Sequence, residues 1–207
     1  MSTSAEPEVG GALPPERKQE LERRLALATP GDAVRGLFFN SMFELVRTLG
    51  DEAAVERCLE ASGERRFFDF FNYPVSALLR VTYTAGSELS ARYGDFDGAL
   101  RQMGHLAMTD FFGSVMGRTL RHLSGQDVRT LVSSIQAIYR MTMSYGERRV
   151  EWESPRKGRL ILQRNFMPFA YHEGGLRTTL DLMGARSVRV VGRATGPLDS
   201  EYEFSWE

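Results

Sequence analysis

Apolar positions recur at helical spacing from Leu21 to Tyr139 and change to strand-like alternation after Tyr145. Pro14-Pro15 opens a predicted helix from Glu16 to about Ala28, where the first turn has no use for the N–H that proline lacks. Thr29-Pro30-Gly31-Asp32 breaks it. Phe38, Phe39, Met42, Phe43, Val46 and Leu49 predict a short helix capped by Asn40 or Ser41 and ending before Gly50. A further short helix is expected over Asp51–Ala61. Pro74 fits the first turn of a helix reaching about Arg92, with Leu78, Leu79, Val81, Tyr83 and Leu89 on its apolar face. Asp95 can cap a long helical region from Phe96 to Leu123, broken near Phe112-Gly113-Ser114. Gly125-Gln126-Asp127 starts the last helix of this half, up to about Ser144.

Two strand pairs follow. Glu147–Glu153 and Gly158–Arg164 are joined by the turn Ser154-Pro155-Arg156-Lys157, and Ser187–Ala194 and Glu201–Trp206 by Thr195–Ser200. Val188 and Val190 flank Arg189, and Tyr202, Phe204 and Trp206 alternate with Glu203 and Ser205, so each strand presents one buried and one wet face. Between the pairs, Gly174–Met183 predicts a helix with Leu176, Leu180 and Met183 on one side. Helices first and strands last give an α+β domain, with a helical part over 14–145 and a strand-rich part over 146–207 sharing one core. Residues 1–13 are polar and aperiodic and predict a disordered tail.

Composition narrows the function. A chain of 207 residues buries a core without staples, and its single cysteine, Cys58, excludes an internal disulfide. A net charge of -1 gives no long-range pull on nucleic acid. No apolar run is long enough to span a membrane, and the acidic N-terminus is unlike a signal peptide, so a cytoplasmic protein is expected. GxGxxG, P-loop and GxSxG patterns are absent, and His105, His122 and His172 lack paired metal-ligand spacing. Arg148, Arg149, Arg156, Lys157, Arg159 and Arg164 are interleaved with Glu147, Glu151 and Glu153, which reads as a solvated hairpin face or as a positive patch for a ligand's carboxylate or phosphate or an acidic partner. Four phenylalanines and a tyrosine crowd into Phe67–Tyr73, either as core or as the lining of a cavity. The expected ligand site takes Phe68, Phe71, Met108 and Phe112 as apolar lining, with Arg149 or His172 orienting a polar end.

The segments VRGLFFNSMFELVRTLG, YGERRVEWESPRKGRLILQRNFMPFAYHEGG and GARSVRVVGRATGPLDSEYEFSWE resemble the myxobacterial paralogous family of uncharacterised proteins of similar length, over nearly the whole chain after about residue 30. More loosely, a helical lead followed by strand pairs around a glycine-started helix is similar to the fold shared by haem-NO-binding domains, vinyl-reductase-type ligand-binding domains and TRAPP tethering subunits. That resemblance implies haem or small hydrophobic ligands, or dimeric assembly. The Tyr-x-Ser-x-Arg motif that holds haem propionates in the first branch does not occur here, and His172 does not match that branch's proximal histidine. Tyr171 and Ser205 stand where the second branch often carries cysteines. The expected function is therefore a non-enzymatic sensory protein for a hydrophobic small molecule. Haem is the lesser alternative, with no other cofactor, and a homodimer would signal to a protein partner. The competing expectation is a ligand-free scaffold acting through a dimer.

Overall fold

The structure is a computed structural model that describes residues 13–125, 127–140 and 143–207. The expected tail, apart from Leu13, lies outside these residues, as do Gln126, Met141 and Thr142. The helical half begins with α1 (Pro15–Leu27), β1 (Ala33–Arg35), α2 (Leu37–Leu49) and α3 (Glu52–Ser62). It continues with β2 (Asn72–Pro74), α4 (Val75–Ser90), α5 (Phe96–Gly113), α6 (Val115–Leu123), α7 (Val128–Ser133) and α8 (Ile135–Arg140). The strand-rich part holds β3 (Glu147–Ser154), β4 (Lys157–Gln163), α9 (Phe169–Leu182), β5 (Arg189–Ala194) and β6 (Ser200–Ser205).

Local chemistry explains most of these boundaries. Asp51, Asp95, Ser114 and Asp127 each accept a backbone N–H three residues on and cap α3, α5, α6 and α7. The break expected near Gly113 is the junction of α5 and α6. Helix α2 begins at Leu37, ahead of the expected Asn40 or Ser41 cap. The Asn40 amide instead donates to the Phe67 carbonyl and the Asp69 carboxylate, holding the phenylalanine-rich segment. The last helix of this half is two short ones, separated at Ser134. The ribbon of β1 and β2 was not expected, because three-residue strands carry too few positions to show a period.

Helix α4 is the hub of the helical half. Leu78, Leu79, Val81, Tyr83, Ala85 and Leu89 are all buried in a core that also holds Phe39, Val46, Leu100 and Met103. The four strands form one antiparallel sheet in the order β3-β4-β6-β5. Helix α9 lies between the two: Ala170 joins the helical core, while Leu176 and Leu180 join Leu160, Leu162, Tyr202 and Phe204 of the sheet.

The contact of α9 with α5 is backbone to backbone. A Cβ on Gly104 would collide with the Tyr171 carbonyl, and one on Gly174 with the Arg101 carbonyl. Neither carbonyl can yield as a side chain would, so both positions require glycine. We therefore expect Gly174→Ala to lower stability by about 2–3 kcal/mol. Gly113→Ala meets nothing within 4 Å and should leave stability unchanged or raise it by about 0.5 kcal/mol. Urea unfolding of the two variants checks this, and equal effects would refute it.

Candidate functional site

Strand alternation sorts the sheet into two faces of opposite chemistry. The outer face is a charge lattice in which Arg149 and Arg159 meet Glu151, and Arg159 and Arg193 meet Glu201. The inner face carries Val150, Trp152, Leu160, Leu162, Val190, Tyr202 and Phe204 against α7 and α9. Arg148 shares that inner face, paired across the strands with Leu162, and is the only charged residue there among the described residues. It is 4% exposed.

Where α8 and α9 meet the sheet, Arg148 sits in a buried cluster of polar and aromatic side chains, termed the chamber below. The guanidinium stacks 4.3 Å from the Tyr139 ring centroid of α8 and 5.9 Å from that of Tyr145. Its Nη1 donates to the Tyr145 carbonyl at 2.9 Å, and its Nη2 lies 3.7 Å from the Met143 sulfur. On the α9 side, His172 Nε2 lies 3.2 Å from Asn165 Oδ1 and Nδ1 lies 3.5 Å from the Tyr139 hydroxyl. Asn165 Nδ2 donates to the Met167 carbonyl, which orients the amide so that Oδ1 faces the histidine. His172 Nε2 therefore carries the proton, and Nδ1 accepts. Burial first, and the positive charge of Arg148 second, push the His172 pKa down to about 3. Tyr202 completes the wall, with its hydroxyl donating to Ser200 at 3.0 Å.

Two polar atoms of this chamber are buried without a hydrogen-bond partner among the described residues: Arg148 Nε and the Tyr145 hydroxyl. Arg24, the other deeply buried arginine, shows the usual arrangement. It pairs with Glu20 at 2.9 Å and donates to the Phe166 carbonyl. Among the described residues no carboxylate pairs with Arg148, and burial lowers its pKa, so its charge is held at a cost. Beside the chamber, an open cleft of about 130 Å³ runs between α8 and the start of β3, with Arg148 and Gln136 in its wall. There the Gln136 side chain accepts the Arg148 N–H at 2.5 Å and covers the free edge of β3.

The expected site residues do not come together. Phe68 and Phe71 meet at a tilt, ring centroids 5.3 Å apart, on the surface, 45% and 63% exposed, beside Phe70. Of that segment, Phe67 enters the core and stacks on Phe39 at 4.0 Å. Met108 and Phe112 join a separate small cluster with Leu131 and Met183. Arg149 is exposed on the outer face, paired with Glu151 at 3.2 Å; its neighbour Arg148 points inward. His172 is in the chamber, on the first turns of α9 instead of ahead of the helix. Period-two counting back from Trp152 and Val150 was the available signal for Arg148.

The fold is similar to that of H-NOX proteins. A Fe(II) unliganded H-NOX protein from K. algicida is 14% identical with a TM-score of 0.64, covering 84% of this chain and 96% of that one. An oxygen-binding H-NOX domain related to soluble guanylate cyclases is 12% identical with a TM-score of 0.61, covering 84% and 95%. By sequence, the chain belongs to the DUF2378 family of proteins of unknown function, which it matches over residues 27–207. No curated protein matches it.

The residues present do not fit haem. An axial imidazole needs a free ring nitrogen, and both nitrogens of His172 face partners. His105, whose Nδ1 meets the Thr178 hydroxyl at 2.8 Å, and His122 are both exposed, on α5 and α6, and not in the buried cluster. The glycine contact leaves no gap between α5 and α9 for a macrocycle.

His172 should therefore stay neutral, protonated at Nε2, as pH falls from about 7 to about 4. The unfolded histidine takes up its proton near 6.5. The stabilising contribution is thus complete above pH 6.5 and shrinks as pH drops towards about 3, by up to about 1.4 kcal/mol per pH unit. Imidazole nitrogen NMR reads the protonation directly, and titration of His172 near pH 6.5 would refute the arrangement.

Proposed function

We propose that this chain is a non-enzymatic sensory domain that takes a small molecule into the chamber bounded by α8, α9 and the inner face of the sheet, and that it does so without haem. The observation that carries this reading is the convergence of Arg148, Tyr139, Tyr145 and His172 in the interior, with two of their buried polar atoms unpartnered among the described residues. A core built only for stability satisfies such groups or replaces them with aliphatic side chains. The likeness to H-NOX proteins supports it further, since one solved neighbour is an oxygen-binding domain.

The rings of Tyr139, Tyr145 and Tyr202 would bound the ligand's body. The cover is suited to move: α7 and α8 are six residues each. A shift of α8 would also release Gln136 from the β3 edge, so occupancy of the chamber would change the surface of the domain. A second reading, an interaction domain in a homodimer, draws on the exposed rings of Phe68, Phe70 and Phe71.

Native mass spectrometry and thermal unfolding with a small-molecule panel, haemin included, test the proposal. We expect saturable stabilisation by a non-haem compound and no histidine-ligated Soret band. Stoichiometric haem bound through a histidine would overturn the haem-free reading. An empty chain stabilised by no compound would leave the interaction domain as the surviving account.

A further inference from the structure

We infer that the chamber receives a carboxylate, held by Arg148 and Tyr145. This inference rests on the reading of the chamber as a ligand site and names the chemistry of what enters it.

Arg148 stays protonated even where burial lowers its pKa, so the inner face of the sheet carries one fixed positive charge. Its partners among the described residues are a carbonyl, a thioether and two ring faces, none of which carries a formal negative charge. His172 is neutral and adds no second positive charge. One monoanion would balance the chamber, whereas a phosphate dianion would leave a buried negative charge over.

Hydrogen bonding points the same way. The two atoms of the chamber that are buried without partners among the described residues, Arg148 Nε and the Tyr145 hydroxyl, both belong to donors. A carboxylate offers two acceptor oxygens, one for each, and no proton that would need an acceptor of its own. A primary amide of the same shape offers one oxygen and an NH2 group, which would face a donor. The chamber's ring faces favour an acid with an aromatic body over a purely aliphatic one. The cleft between α8 and β3, with Arg148 in its wall, gives the acid group a short path inward once Gln136 swings away.

The test uses the full chain, with benzoate, benzamide and inorganic phosphate as probes in thermal unfolding and titration calorimetry. Benzoate should raise the unfolding midpoint with saturation, and benzamide and phosphate should not. Tyr145→Phe should weaken benzoate binding roughly tenfold by removing one donor. Arg148→Met should abolish the benzoate response while holding or raising the midpoint of the free protein, because an apolar chain of similar length replaces an unpaired buried charge. Equal responses to benzoate and benzamide, or an unchanged benzoate response in Tyr145→Phe and Arg148→Met, would overturn the carboxylate inference and leave the chamber reading standing. If Arg148→Met fails to fold, Tyr145→Phe and the comparison of benzoate with benzamide decide the inference. If no probe stabilises the wild-type chain, the inference falls. If native mass spectrometry also finds no bound compound, the chamber reading falls with it.

Discussion

The approach of α9 to α5 through Gly104 and Gly174 sets the positions of everything that matters here. Because backbone touches backbone, α9 is driven deep between the helical core and the sheet. That depth puts His172 where both of its nitrogens find partners, Asn165 on one side and Tyr139 on the other. Asn165 is itself fixed from several directions: its N–H donates to the Leu198 carbonyl and its carbonyl lies near Arg24. A chain of short, directional contacts thus runs from the glycine crossing to the wall of the chamber. The same closeness excludes a planar cofactor between the two helices.

Against that rigid side stands a lighter one. The covering elements α7 and α8 are too short to be stable helices on their own and depend on what they pack against. The Tyr139–Arg148 stack and the Gln136 contact with the β3 edge are what α8 contributes. Arg148 is thus shared between a fixed sheet and a thin cover. A buried cation without a carboxylate is a poor way to stabilise a fold. It is a reasonable way to keep an interior receptive, and loss of stability at functional sites is a common exchange.

Much of the architecture was legible in the sequence. The period-two strands, the Asp95 cap and the break at Gly113 follow from local chemistry, and the structure has them. What was not legible depends on tertiary contact. Gly174-Gly175 looks like the start of a helix, because glycine disfavours helix interiors; the contact with α5 overrides that preference, and α9 starts at Phe169. His172 is therefore expected just ahead of the helix, orienting a ligand's polar end, whereas it lies within α9. Arg148 and Arg149 look alike in composition, and only the phase of the strand separates a solvated arginine from a buried one. The crowded rings of Phe67–Tyr73 divide between core and surface, which depends on how Asn40 and the small β1–β2 ribbon turn the chain.

The account's central claim is that Arg148 Nε is a donor kept for a ligand. Its side-chain Nε–H resonance in arginine-selective NMR reports on this atom alone. The account predicts a resonance assigned through Arg148→Met that shifts on adding an aromatic carboxylate and slows its exchange with solvent. A resonance that ignores the carboxylate, with the chemical shift of a donor already bonded inside the protein, would contradict it.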